Sequence, residues 1–491
     1  MRSYFKHPIF LEYRNESKKI YFILIALFSV GMLVTSPQSS GPDEPMNQAS
    51  GWYSIRNGLN PSYPSTIVSD VPTNLVTGPC FAFKPNVTSE CLSKNPTTNG
   101  KTDFPVFNYP PVYFWIIGLG QISFGIVDQE LSYLGGRLFG LFAILGLLLI
   151  SIVKLSRMGL KRSSEMLFIA LTPMSYFVFS TANPSGWEIA TSILFFTTLT
   201  VELKKRTIEI SSRSNSFQNR FLCPNLPILL TGLLLVFSRP LGFVWLILIV
   251  GIVGINLGLL DKIFSFKSVI SSIGLTQIPA FLWFVTHPEN SELPGLKNAS
   301  AGSIIDALPE NILHSVFSLH EKYKQSWGVL GWLDTRPPNT VYVLVAFLFS
   351  LLTFKLMQNN RTNWKVFLFT AIFLNLIIIA LESYKWIVWP NWWQGRYGLP
   401  LLVCSLLSLL MNGNQINKIK NLNLLIIFII TGNAFMIYLN FYRYTFGLWN
   451  SVSIKTLISG VDFSITLFTF VVLILIVAFL KKIYVKKSKA L

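Results

Sequence analysis

The stretch PPVYFWIIGLGQISFGIV, residues 110–127, decides how this chain is read. It is apolar enough to cross a bilayer as a helix, and whether it crosses fixes the side on which every later loop falls. If it crossed, the run Lys154–Arg162 and each basic connection after it would face outward. That would oppose the tendency of Lys and Arg to stay on the cytoplasmic side. Read instead as an amphipathic or re-entrant helix on the outer surface, entered through Pro110-Pro111, it leaves the basic runs together on one side.

On either side of this stretch, long apolar runs recur: Ile20–Val34, Leu131–Val153, Leu241–Leu260, Val341–Leu356, Leu422–Leu439 and Val461–Leu480. About 20 such residues cross the hydrocarbon core as a helix, which satisfies its own backbone polar groups in lipid. The chain of 491 residues is 51% hydrophobic and 13% charged, with mean hydropathy +0.51. A soluble domain of that composition would expose too much apolar surface. The expected fold is an all-α polytopic membrane protein, one integral domain over 1–491 with about 12 transmembrane helices (a range of about 11–13). Spans are placed near 20–36, 132–153, 165–181, 186–203, 225–238, 241–260, 268–286, 339–357, 365–381, 396–412, 422–439 and 461–480.

With the N-terminus inside, 26 of the 40 basic residues fall on the cytoplasmic side, against 6 of the 22 acidic ones. Both termini are then cytoplasmic, in the cell (cytoplasmic) membrane. A large first outer loop covers 37–131 and a second covers 287–338. Arg2, Lys6, Arg14, Lys18 and Lys19 precede the first apolar run, and no small-x-small cleavage site follows it cleanly, so the run reads as a retained anchor. The net charge of +18 sits mainly in the short inner loops. It is explained by orientation, and no nucleic-acid partner is expected; the partner implied is the bilayer.

The candidate chemical groups lie on the outer side. In Gly41-Pro42-Asp43-Glu44-Pro45, two carboxylates are held between prolines just beyond the first helix. Asp43 there can act as general base on an acceptor hydroxyl, or help hold a divalent cation, while an acidic helix-stopping turn is the plainer alternative. Asn183-Pro184-Ser185-Gly186-Trp187-Glu188 is a tight turn between two spans, and Glu188 either caps the following helix or adds a second acid. Arg137, Arg239, Lys385 and Arg396 mark points where helices meet the outer surface. Each can grip a phosphate or merely snorkel to headgroups. Trp386, Trp389, Trp392 and Trp393 crowd one outer loop, and Trp327 and Trp332 lie near Asp334. Such rings form interfacial belts, and they also stack on sugars. Cys80 and Cys91, with ten residues between them in the first outer loop, permit a disulfide, whereas Cys223 and Cys404 suggest no chemistry. Asn86 and Asn298 open Asn-x-Ser/Thr triplets that carry little weight.

No Gly-x-x-x-x-Gly-Lys loop, His-Glu-x-x-His helix or Cys-x-x-Cys pair occurs, and His314 and His320 form no recognisable metal site, which argues against an ATP-driven pump. The two halves show no clear internal repeat, which weakens a secondary transporter.

The strings GPDEP at 41–45, YPPVYFW at 109–115, NPSGWEIA at 183–190, SRPLGFVW at 238–245, GWLDT at 331–335 and QGRYGLP at 394–400 occur in order. Together they resemble a family of bacterial predicted membrane proteins of unknown function, related to the GT-C glycosyltransferases. The resemblance runs from the first helix to about residue 410. It implies a GT-C-like architecture whose first outer loop bears an acidic pair and juxtamembrane helices. It also implies transfer of a sugar from a polyprenyl-phosphate donor to a cell-envelope glycan or glycolipid acceptor; an inverting transfer is the mechanism expected here. On it, Asp43 is the candidate base with Glu44 its neighbour, and Glu188 matches a second acidic position. Arg239, Arg396, Tyr397, Lys385, Arg137 and Asp334 are candidate substrate contacts. A divalent cation (Mg or Mn), if bound, would fall to Asp43 and Glu188; no other cofactor is implied. Met46-Asn47 stand where the family usually has Ala-His, so any role of that histidine is missing. A flippase or transporter of lipid-linked glycan, or a non-catalytic assembly partner, are the competing expectations.

Overall fold

A computed structural model describes residues 16–57, 67–92, 101–105, 109–212, 224–259, 267–286, 301–358, 360–385, 392–412 and 422–448. The first apolar run forms α1 (Glu16–Thr35), whose Ser29 and Thr35 hydroxyls bond back to the carbonyls of Ile25 and Gly31. Serine and threonine inside an apolar helix are tolerated in this way because the helix itself satisfies them. The chain then reverses and starts α2 (Glu44–Asn57). A small antiparallel hairpin follows, β1 (Ile67–Pro72) with β2 (Lys101–Pro105), its register interrupted between Val68 and Val71. This hairpin is the only sheet among the described residues, and it departs from an all-α reading.

The deciding stretch folds as α3 (Val112–Gly125), directly behind the two prolines, and lies against both α2 and α4 (Ser132–Arg157). Its fit depends on missing side chains. A Cβ on Gly118 would come within 2.4 Å of the Gly51 carbonyl oxygen, and one on Gly120 within 2.2 Å of that of Gly135. Backbones this close need small residues at the contact, as in helix pairs packed through glycine.

The expected span at 165–181 is two short helices, α5 (Ser163–Ala170) and α6 (Pro173–Ser180). Thr172 and Ser175 form a reciprocal cap around Pro173, and this junction ends one helix and starts the next. Then comes α7 (Pro184–Ser212), buried without interruption through Val201 and packed on α4, α6 and the later α8 (Leu226–Val236), α9 (Gly242–Leu257) and α14 (Leu399–Met411). It is the axis of the molecule. The remaining described helices are α10 (Lys267–Thr286), α11 (Ala301–Gly328), α12 (Asn339–Met357), α13 (Arg361–Lys385) and α15 (Leu422–Phe446).

The segment 287–338, expected as a loop, contains the 28-residue α11. Its charges and the internal Pro309 mask the helical period in the sequence, yet an apolar stripe exposing Leu313 and Phe317 is present. Among the described residues, four helices are long and apolar enough to cross a membrane: α4 with its preceding turn, α12, α13 and α15. Five shorter apolar helices accompany them. The molecule is thus a predominantly helical membrane protein. The expected span 461–480, the tryptophans at 386 and 389, Cys223 and Asn298 lie outside the described residues.

Candidate functional site

The two adjacent acids of the Gly-Pro-Asp-Glu-Pro turn have different surroundings. Glu44, at the first turn of α2, is 2% exposed at its side chain and takes both its oxygens inward. Oε1 accepts from Arg137 Nε at 2.7 Å and Ala182 N at 3.0 Å; Oε2 accepts from Arg137 Nη2 at 2.7 Å and Gly41 N at 3.1 Å. Arg137 also donates to the carbonyls of Ser36 and Pro37. The bidentate pair is therefore a lock between the end of α1, the start of α2, α4 and the α6–α7 turn, and Arg137 is buried inside it.

Asp43 is placed by that lock. Its φ is +61°, in the left-handed region that a non-glycine residue adopts only when held there. Asn183 Nδ2 donates to the Pro42 carbonyl, and Gly41 lies so close to Thr181 that a Cβ would come within 2.9 Å of it. The side chain of Asp43, 40% exposed, meets Arg396 Nη2 at 3.1 Å across 353 residues of sequence.

Arg396 belongs to the 3-10 turn Gly395–Gly398 that opens α14. The turn is fixed from behind. A buried Lys322–Glu382 pair at 3.0 Å holds the Trp393 backbone, Lys322 donating to its carbonyl and Glu382 accepting from its N–H. Gly395 N donates to Gln325 Oε1 and its carbonyl accepts from Ser326 Oγ. A Cβ on Gly395 would lie 2.3 Å from the Lys322 carbonyl oxygen, so α11 and this turn touch backbone to backbone.

Arg239, between α8 and α9, completes the cluster. Its Nη1 donates to Ser185 Oγ at 2.8 Å, and its guanidinium lies 4.4 Å from the Tyr397 ring centre and 5.8 Å from that of Tyr109. The Arg396 guanidinium lies 5.3 Å from the same Tyr397 ring. Two cations thus share one aromatic ring, an arrangement that favours charge near a partly dry surface. Trp392 and Trp393 both pack against Tyr397.

Glu188, one turn along α7 from Ser185, is fully buried. It lies in the field of Arg239 and beside the Trp245 indole, yet neither carboxylate oxygen has a hydrogen-bond partner among the described residues. Asp334 is 5% exposed and bound to Arg443 at 3.1 Å. Arg443 also donates to the carbonyls of Phe81, Lys84 and Val87, inside the loop that the Cys80–Cys91 disulfide closes. Lys385 ends α13, and its side chain lies outside the described residues.

Asp43, Arg396, Tyr397 and Arg239 therefore come together, with Glu188 behind them. Glu44, Arg137 and Asp334 are committed to holding the frame. Among the described residues no three His, Cys, Asp or Glu side chains gather as metal ligands.

A family model described as Predicted membrane protein (DUF2142) matches residues 25–405. The chain belongs to that family. Comparison with curated proteins and with solved structures gives no match. The DUF2142 match contains Asp43, Arg137, Glu188, Arg239 and Arg396 together, and ends before α15, so the Arg443 anchor lies beyond it.

Four contributors were missed in the sequence: Ser185, Tyr109, and the Lys322–Glu382 pair. Ser185 and Tyr109 sit inside strings already singled out, so a signal existed. Lys322 and Glu382 are 60 residues apart and carry no local sign of pairing.

Proposed function

We propose that this chain is a membrane glycosyltransferase of GT-C type. It moves a sugar from a polyprenyl-phosphate donor to a glycan or glycolipid acceptor of the cell envelope, on the outer face of the membrane. The observation that carries the reading is the meeting of Asp43 with Arg396 and Arg239 at one end of the helical bundle: a partly exposed carboxylate beside two arginines that share Tyr397. Basic loops on the opposite side support the orientation, with about 12 crossings in the cytoplasmic membrane and both termini inside.

In this mechanism Asp43 accepts the proton of an acceptor hydroxyl. The hydroxyl oxygen forms its bond to the anomeric carbon as the bond from that carbon to the phosphate oxygen breaks. The electron pair leaves with the polyprenyl phosphate, and the configuration inverts. Arg396 fixes Asp43 through Oδ2, leaving Oδ1 for the acceptor. Arg239 and Arg396 stabilise the charge that grows on the departing phosphate, and their positions are set before reaction, so little reorganisation is required. Ser185 steers Arg239, and Glu188 lies buried behind it.

The test is sugar transfer in reconstituted vesicles from a polyprenyl-phosphate-linked donor. Asp43→Asn is expected to fold and to lose turnover by about a hundred- to ten-thousandfold. Turnover like that of the parent chain would rule out this base.

A further inference from the structure

On another flank of the bundle, a groove of about 710 Å³ lies between α12 and the pair α13–α14. Along α12 it extends from Asn339 to Thr353, about 21 Å at the rise of a helix. One leaflet's hydrocarbon is about 15 Å deep, so the groove is long enough for a single lipid chain. Its wall helices α12 and α13 are two of the four that are apolar and long enough to cross a membrane.

The lining separates into two parts. Val345, Phe349, Phe367, Leu374, Leu406 and Leu409 make the interior apolar. Three of the interior hydroxyls are already engaged: Thr370 donates to Ser405, Thr353 to the Phe349 carbonyl and Thr172 to the Ser326 carbonyl. This surface offers mainly contact to hydrocarbon and few hydrogen bonds to a polar ligand. The end nearest α11 is polar and carries His320, Lys324 and Asn339. Lys324 Nζ stands 3.5 Å from Asn339 Oδ1 and 3.7 Å from Glu321, which is also engaged by Arg336 at 2.6 Å. Two cations face one carboxylate there, leaving positive charge at the mouth. None of Asp43, Arg239, Arg396 and Tyr397 lines the groove.

We infer that this groove binds an anionic phospholipid, one acyl chain lying between α12 and α13–α14 and the phosphate meeting Lys324. The site is separate from the arginine cluster and stands whether or not the chain transfers sugars. The acyl chain fills a gap that protein side chains leave open, and the charged mouth selects the head.

The experiment is native mass spectrometry of the full-length protein in detergent, titrated with phosphatidylglycerol or with phosphatidylcholine of the same acyl chains. One phosphatidylglycerol per chain is expected, bound about fivefold more tightly than phosphatidylcholine, the worth of one basic side chain near an anionic head. Lys324→Gln should remove that preference. Ala346→Trp, at an exposed position in the groove, should abolish both; Ala371→Trp blocks the opposite wall if the first variant does not fold. Equal binding of the two lipids, or undiminished binding in a folded plugged variant, overturns the assignment. So does displacement of phosphatidylglycerol by an equal concentration of polyprenyl phosphate, which would make the groove a carrier site.

Discussion

Asp43 and Glu44 are neighbours in sequence with opposite uses, and substitution separates them. Glu44→Gln leaves the Arg137 charge buried without its partner, a defect that costs about 3–5 kcal/mol. Thermal unfolding of the purified protein should show a marked loss, partly recovered when Arg137→Met is added. Asp43→Asn should lower the same transition by less, since Asp43 is 40% exposed and asparagine keeps an oxygen for Arg396 and tolerates the left-handed backbone. Arg239→Ala removes a guanidinium that reaches Ser185 and Tyr397 without holding the frame. Donor affinity, read by calorimetry with a polyprenyl-phosphate sugar, should fall about tenfold to a hundredfold, the range of a hydrogen bond to a charged group. Unchanged affinity would remove Arg239 from the phosphate site. At this scale the sequence is informative about residue type and poor about commitment. It marks Asp43, Glu44, Arg137 and Asp334 alike, because nothing local distinguishes a partly exposed carboxylate from one buried against an arginine 93 or 109 residues away.

Among the elements, the turn before α14 shows how a binding residue is presented. Gly395 touches α11 backbone to backbone, and the Lys322–Glu382 pair grips Trp393 just ahead of it. Gly395→Ala must push the turn off α11, displacing Arg396 while α13 and α14 remain apolar helices able to insert. The expected result is a folded protein by circular dichroism with weakened donor binding; normal affinity would show that the turn's seat does not matter. The proline pair and the apolar run behind it make α3 legible from residue order alone. The break at Thr172-Pro173 was missed because apolar residues run through it, and hydropathy is insensitive to a cap. Polar content hid α11 in the reverse sense: it lowers the apolar signal although the helix is long.

For the whole molecule, charge asymmetry makes a strong statement about sides, and this is open to direct test. In intact cells a membrane-impermeant maleimide should label a cysteine placed at Glu90, and should reach one placed at Lys204 only after permeabilisation. The reverse pattern would move Asp43 to the cytosol and end the proposed transfer at the outer face. What hydropathy could not supply was the number of crossings, since short apolar helices such as α8 and α9 leave length alone undecided.

Arg443 ties three carbonyls of the disulfide loop to the end of α15, and Leu448 N adds a fourth bond to Pro85. Ribosomes release the chain from its amino end, so the disulfide loop is made some 350 residues before its fastener exists, Val87 and Arg443 being 356 apart. During synthesis that flap must wait unfastened while the intervening helices insert, and it closes only after α15 has been made. A chain stopped short of α15 would thus keep its Glu44–Arg137 lock and leave the flap untethered, vulnerable to a protease that the finished protein resists.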